Sequence, residues 1–341
     1  MKRVTVSDVA ERAGVSQGTV SRVLTGKNWV SEDARLRVQE AARELGYVPN
    51  AMAQGLKAQR TRTIAALVSD MSNPLHAEFL AAAEAALRAS GYLLVVASTH
   101  SKPEQERELI SLFSAGRADG LIVAHNESSV ETYEALRQTR LPIVFHDREA
   151  AHLGDAVVAD HRSGAREATE HLIQLGHRRI AILTPPATVR PSRERLVGYR
   201  NALQDADVQF DESLVRSLDA SSDMAYSEVK TLLEGKRRPT AIITLGTHML
   251  AGVLMAVSSK GMEIPHDISV VGVGDTDLLR LHTPSITSVR WDLGHCGRLA
   301  AGLMLERLQH VDAIALAPRQ RHVPVELVLR RSTGVPPRRR A

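Results

Sequence analysis

Residues 4–57 read VTVSDVAERAGVSQGTVSRVLTGKNWVSEDARLRVQEAARELGYVPNAMAQGLK, and the rest of the chain is organised around them. Thr5 is placed to cap a first helix, with Asp8 three positions on as in a capping box. Val6, Val9, Ala10 and Ala13 then fall on one face at helical spacing. Gly14 permits a tight turn and Val15 plugs the junction. Ser16 caps a second helix whose inward side is Val20, Val23 and Leu24. Ser31 caps a third, with Glu32 and Asp33 at the positive end of its dipole. Leu36, Val38, Ala41, Ala42 and Leu45 supply its apolar side, and Gly46 ends it as a left-handed cap. Two short helices joined by a Gly turn form a helix-turn-helix, whose second helix enters the major groove N-terminus first.

Charge points the same way. Residues 1–62 hold eleven Lys or Arg against six Asp or Glu, a net of +5, in a chain whose total is +4. The remainder therefore carries −1. A basic head on a near-neutral body suits a nucleic-acid partner. At 341 residues the chain has room for two or three domains. With aromatics at only 3%, its cores must be built from Ala, Val, Leu and Ile. The single cysteine, Cys296, excludes an internal disulfide framework and a cysteine-based zinc site. No N-terminal h-region and no apolar run of the ~18 residues a membrane span requires are present, so a cytoplasmic location is expected.

In the groove, Gln17, Gly18 and Arg22 face the bases. Gln pairs bidentately with adenine and Arg with guanine. Ser7, Ser16, Thr19, Ser21 and Ser31 are short donors suited to phosphate oxygens, which position the protein without specifying sequence. The run VTVSDVAERAGVSQGTVSRVLTGK, with the following VS, AR and AARELGYVPN, resembles the DNA-binding head of the lac repressor (LacI/GalR) family. That resemblance makes Gln17, Gly18 and Arg22 the recognition positions. Arg22 is the family's common choice, while Gly18 departs from it in having no side chain to read a base. Pro49 breaks the third helix, and Asn50 can cap a fourth short segment with Ala53 and Leu56 on one side. In the family this is a hinge helix, ordered when two chains pair over the operator, and its Leu, here Leu56, wedges into the minor groove. Small Ala53 lets paired hinges approach, and Gly55 lowers helicity by ~1 kcal/mol relative to Ala. Thr5, Gln54 and Lys57 complete the candidate DNA contacts.

From Thr63 the pattern changes to buried-strand runs alternating with helices. IAALVS, YLLVVAS, DGLIVAH, PIVFHD and VVAD are followed by RRIAILT, TAIITLG and ISVVGVGD, with helices over 77–90, 103–115, 129–138, 162–175, 192–205, 223–234 and 248–260. A polar loop joins the helices ending at 205 and beginning at 223. Apolar strands with intervening helices predict parallel sheets covered on both faces. The pattern restarts near Ser163, giving two doubly wound lobes similar to the periplasmic-binding-protein fold. SVRWDLGHCGRLAAGLMLERL and HVPVELVLRRST are expected to cross back, so that each lobe is discontinuous. The expected organisation is a helix-turn-helix domain at 1–49, a hinge at 50–62 and an effector-binding and dimerisation domain at 63–335. The lobes of that last domain are 63–162 with 292–320, and 163–291 with 321–335; a basic tail follows at 336–341.

Ligands in such sheets bind at the carboxyl ends of strands, in the crevice between lobes. By resemblance, Leu75, His76, Asn126, Asp147, Arg148, Asp160, Arg195, Thr247 and Asp275 touch a small effector. Leu75 and His76 stand where an aromatic is usual, Thr247 where the family usually has Asp, and Gly274 where many members have the first Asp of VGYDD. With two carboxylates lost and Arg190, Arg193 and Arg195 close together, an anionic sugar derivative is the expected ligand. His76, His125, His146 and His161 converge on the crevice without metal-ligand spacing. Neither HExxH, GxxxxGK[ST] nor GxSxG occurs, and GVGD at 272–275 lacks the third glycine of a dinucleotide fingerprint. No cofactor, metal or catalytic activity is expected.

These features describe a homodimeric repressor that reads a palindromic operator and is gated by a small metabolite. Gating by a protein partner, and a sugar-binding protein with no regulatory role, remain alternatives. The end GVPPRRRA carries no leucine heptad, so a dimer is expected rather than a tetramer. If the hinge reading holds, Leu56→Ala keeps the helical bundle intact by circular dichroism yet loses most operator affinity in a gel-shift titration. Unchanged affinity removes the hinge from this account.

Overall fold

A computed structural model describes residues 4–24, 30–47, 60–124, 129–149, 152–219, 221–310 and 316–337. The chain divides into two units, residues 1–61 and 62–341. In the first, α1 (Val6–Ala13) begins on Thr5, whose hydroxyl accepts from Asp8 N while its own N–H donates to the Asp8 carboxylate at 2.7 Å. Gly14, at φ 63, turns the chain into α2 (Gln17–Leu24), where Ser16 Oγ accepts from Thr19 N at 3.1 Å. α3 (Glu32–Glu44) starts on Ser31 and ends before Gly46, which is also left-handed. Val9, Ala10, Ala13, Val20, Val38 and Ala41 form the core. Leu36, expected on the apolar side of α3, is 58% exposed. It lies two residues from both Ala34 and Val38, and so about 200° round the helix from each.

The second unit holds two six-stranded sheets. The first runs β11 (Gln320–Val323), β5 (Asp155–Ala159), β4 (Ile143–His146), β3 (Gly120–Ala124), β1 (Thr63–Val68), β2 (Leu93–Ser98). The second runs β12 (Glu326–Val328), β10 (Thr287–Arg290), β9 (Ser269–Val273), β8 (Ala241–Thr244), β6 (Ile180–Thr184), β7 (Val215–Ser217). All pairings are parallel except β10 with β12. The central strands are buried along their whole length, as sheets covered on both faces require.

On the first sheet α4 (Pro74–Ala89) packs with α12 (Leu293–Gln309), burying Phe79, Leu87, Ala300 and Met304. α5 (Pro103–Ser114) and α6 (Val130–Gln138) pack with each other, and Ile110, Phe113 and Leu136 join Leu67 and Phe145 in a second core. On the second sheet the pairs are α7 (His161–Gln174) with α8 (Arg190–Asp205), and α9 (Ser222–Glu234) with α10 (Thr247–Ser259). A Cβ on Gly297, Gly198 or Gly252 would strike a backbone carbonyl of the partner helix, so glycine sets the close approach in three of these pairs. No helix among the described residues is long and apolar enough to cross a membrane.

The chain passes between lobes three times: from β5 to α7, from β10 to α12, and from β11 to β12. The last passage corrects the expected boundary at 320. Gln320–Val323 pairs in register with Ala156–Ala159, so the first lobe runs through Val323. The supposed polar loop after 205 contains a short 3-10 turn (Glu212–Leu214) and the edge strand β7. α11 (Asp277–Leu281) follows β9 and, at five residues, is too short for helical periodicity to show it.

The returning segments are held by one carboxylate. Asp155, fully buried at the start of β5, accepts from Arg307 at 2.8 and 2.6 Å and from Arg319 Nη2 and N at 2.9 and 2.8 Å. Burial alone would raise its pKa, but these bonds outweigh it and hold the group below the ordinary range. Removing one partner strands buried charge, at a cost of ~3–5 kcal/mol. Asp155→Ala is therefore expected to lower the urea midpoint of the 62–341 unit by that order, measured by near-UV circular dichroism; a change under about 1 kcal/mol contradicts the assignment.

Candidate functional sites

On the first unit, Ser16, Gln17 and Gly18 open α2 and are exposed, as is Arg22 one turn on. Gln17 Nε2 donates to Ser7 Oγ at 3.2 Å, and Ser16 and Thr19 share a hydrogen bond at 2.9 Å. A Cβ at Gly18 would lie 3.7 Å from Arg22 Nη2, so the missing side chain leaves the ground over which the Arg22 guanidinium extends. Thr5 and Ser31 are committed to capping. Ser21 is half-buried beside Arg22. Asn50, Ala53, Gln54, Leu56 and Lys57 lie outside the described residues.

In the second unit, a cavity of about 540 Å³ opens between the lobes at the carboxyl ends of the strands. The first lobe lines it with Ser69, Leu75, His76 and Asp147, and the second with Ser192, Arg195, Leu245 and Thr247. His161 and Trp291, at two of the lobe crossings, close its floor. Asp147 sits just beyond β4 with φ 51, a left-handed conformation that Asp tolerates better than most residues. Its Oδ1 accepts from Ala159 N at 2.9 Å and lies 3.7 Å from Arg190 Nη1. Its Oδ2 lies 3.0 Å from His161 Nε2. Arg195 Nη2 donates to His161 Nδ1 at 3.1 Å, so the ring carries its hydrogen on Nε2, facing Asp147. The Arg195 guanidinium, 6% exposed, lies 5.5 Å from the Trp291 ring centroid, and His161 meets that ring edge-on at 4.9 Å. Arg195 Nε and Trp291 Nε1 are buried without a hydrogen-bond partner among the described residues.

Sequence and structure comparisons agree with this geometry. Residues 5–50 match the model of bacterial regulatory proteins of the lacI family, and 169–333 that of the periplasmic binding protein-like domain. The chain is 32% identical over 307 residues to the HTH-type transcriptional repressor PurR of Edwardsiella ictaluri, covering 89% of this chain and 90% of the relative. It is 30% identical over 329 residues to PurR of Actinobacillus pleuropneumoniae serotype 3, covering 96% and 98%. The chain belongs to the LacI family. Among solved structures, the lac repressor dimer bound to operator and the anti-inducer ONPF superposes with a TM-score of 0.86 at 29% identity, over 98% of this chain and 100% of that one. The CelR–cellobiose complex gives 0.73 at 30% identity, over 97% and 100%. The protein is thus a LacI-family DNA-binding transcriptional repressor.

Of the effector contacts that the LacI-family resemblance implies, the structure gathers Leu75, His76, Asp147, Arg195 and Thr247 on the cavity. Asn126 lies outside the described residues. Three others do not line it. Arg148 is buried in an ion pair with Glu106 beneath the Tyr133 ring. Asp160 caps α7 through Ser163 N at 3.1 Å. Asp275 is matched by Arg330, Arg290 and Arg280. The expected arginine cluster also divides: Arg195 faces the cavity, Arg190 approaches Asp147, and Arg193 pairs with Glu149 across the lobes. Trp291 was missed, although it is one of only two tryptophans in an aromatic-poor chain. No group of three or more His, Cys, Asp or Glu is placed to hold a metal among the described residues.

Burial pushes the His161 imidazole down to about 4, with Asp147 opposing and Arg195 reinforcing the shift. Burial and the nearby His146 push His76 down to about 4. For Asp147, burial acts upward, but His161, His146 and the Ala159 N–H outweigh it and hold the carboxyl well below its usual range. The floor is therefore an ionised carboxylate among neutral imidazoles. A histidine whose folded pKa is depressed binds its proton more readily when unfolded, so its contribution is complete above pH ~6.5 and is lost as pH falls toward ~4. The melting temperature is expected to drop steeply across that window. Replacing His161 with Gln should flatten the drop, and an unchanged slope would show that the buried imidazole does not titrate on unfolding.

Proposed function

We propose that this repressor is gated by a small sugar or sugar acid bound between the lobes, and that a homodimer carries the signal to a palindromic operator. The observation that carries this reading is the pair of buried donors, Arg195 Nε and Trp291 Nε1, which have no protein partner among the described residues beside an open cavity of ligand size. Asp147 is already engaged by His161, Ala159 and Arg190, so Arg195 has hydrogen-bonding capacity to spare for an acceptor-rich ligand. The preference for an acid rests on Arg195 alone, because Arg190 and Arg193 face carboxylates of their own. That CelR, a similar structure, is a complex with cellobiose supports a carbohydrate ligand here.

In this reading residues 1–49 read the half-site, 50–62 form the hinge, and the 63–335 domain holds ligand and partner chain. Gln17 and Arg22 read base edges while Ser7, Ser16, Thr19 and Ser21 position the helix on phosphates. A ligand that prefers one lobe arrangement shifts the hinge equilibrium, and ligand and operator then alter each other's affinity by the same factor. The protein works in the cytoplasm, where operator and metabolite meet.

Fluorescence anisotropy with operator DNA, titrated with sugars and sugar acids, tests this directly. Arg195→Ala should retain ligand-free operator affinity and weaken the ligand response by about ten- to a hundredfold, the worth of a lost charged hydrogen bond. An undiminished response in that variant excludes Arg195 as a ligand contact. If no metabolite acts at all, a protein partner becomes the better reading.

A further inference from the structure

Leu75 and Gly274, on opposite lobes, are shaped for each other. Gly274 follows β9 at φ +82, a conformation that L side chains rarely adopt. A Cβ built there would lie 2.6 Å from Leu75 Cδ2, and 3.5 and 3.6 Å from its Cδ1 and Cγ. Leu75 stands in the first turn of α4, where Asn73 Oδ1 accepts from its N–H at 3.1 Å. The Leu75 side chain therefore fills the space that a side chain at 274 would occupy. The two sequence departures from the family pattern, at 75 and at 274, are a single structural feature.

That feature gives the cavity two unlike walls. Leu75, Val273, Trp291 and Leu293 all line it. Val273 ends β9 and Trp291 leaves the neighbouring strand β10, while Leu75 and Trp291 both pack against the core cluster that contains Leu293. On this side Leu75, Val273 and Leu293 present only carbon side chains, and the one polar side-chain atom among the four residues is Trp291 Nε1. Arg195, His161 and Asp147 supply further buried donors and acceptors. A ligand hydroxyl pressed against Leu75, Val273 and Leu293 would lose its water and find no protein partner there, whereas a methyl or methylene would gain contact.

We propose that Leu75 and Gly274 set the specificity of the cleft, so that the favoured effector is a deoxy sugar or deoxy sugar acid, with hydrogen rather than hydroxyl on the edge that meets Leu75. This rests on the ligand-gated reading above and narrows its ligand.

The test is calorimetric titration of the full-length protein with three matched pairs: 2-deoxy-D-glucose and D-glucose, L-fucose and L-galactose, and L-fuconate and L-galactonate. In each pair that binds, the deoxy member should bind about ten- to a hundredfold more tightly, the discrimination available to an apolar wall facing an added hydroxyl. Leu75→Ser should erase or reverse that preference; Leu75→Thr, closer in size, takes its place if the serine variant does not fold. A hydroxylated member that binds as tightly as its deoxy partner overturns the inference, as does a preference that survives substitution at residue 75. If all six fail to bind while a small-molecule cell extract still alters operator binding, the deoxy class is overturned and the gating reading stands. If the extract is also silent, both fall.

Discussion

The Asp147 carboxylate is the point on which the cleft depends. It stands at the end of a first-lobe strand, yet two of its neighbours, His161 and Arg190, come from the second lobe. His161 passes the constraint on to Arg195, which is stacked over Trp291 at another lobe crossing. A buried anion needs donors, and beyond the Ala159 N–H of its own lobe Asp147 draws on second-lobe side chains. The lobe arrangement and the charge state of the floor are therefore one problem with one solution. Beside the ionised Asp147 and neutral His161, Arg195 Nε and Trp291 Nε1 keep unused hydrogen-bonding capacity at the cavity.

The rim behaves differently from the floor. Asp70 and His248 approach to 3.5 Å across the mouth, Thr247 reaches Asn73 at 3.5 Å, and Glu149 meets Arg193. These groups are partly solvated, and contacts of that kind contribute about 0–1 kcal/mol each. The stronger forces act inside, at the desolvated guanidinium and in the fit of Leu75 against Gly274.

Much of this was legible in the sequence, for reasons that also explain the remainder. Fully buried strands such as Ile180–Thr184 and Ala241–Thr244 announce themselves as unbroken apolar runs. The edge strands Val215–Ser217 and Gln320–Val323 do not, because a half-solvated three- or four-residue strand has no such run. The caps at Thr5 and Ser31 were readable because they are local, whereas Leu36 shows that a large apolar side chain near a core face need not belong to it. Among the site residues, Arg195, Asp147 and Thr247 lie where the strand ends and the family resemblance put them. Arg148 and Asp275 also follow strand ends but do not line the cavity, since they pair with Glu106 and Arg330, 42 and 55 residues away in the chain. Such a partner neutralises a charged residue with no trace in the local pattern.

The threefold passage of the chain between lobes has a consequence for synthesis. The first lobe begins at residue 62, but its edge strand is Gln320–Val323 and the helix covering Phe79 and Leu87 is Leu293–Gln309. As the chain leaves the ribosome, most of the first sheet is available while one of its apolar faces is covered by α4 alone. The second sheet is nearly complete before that cover arrives, lacking only β12. The lobe translated first is thus finished late, and the nascent protein must shield that half-covered face through the translation of nearly all of its length.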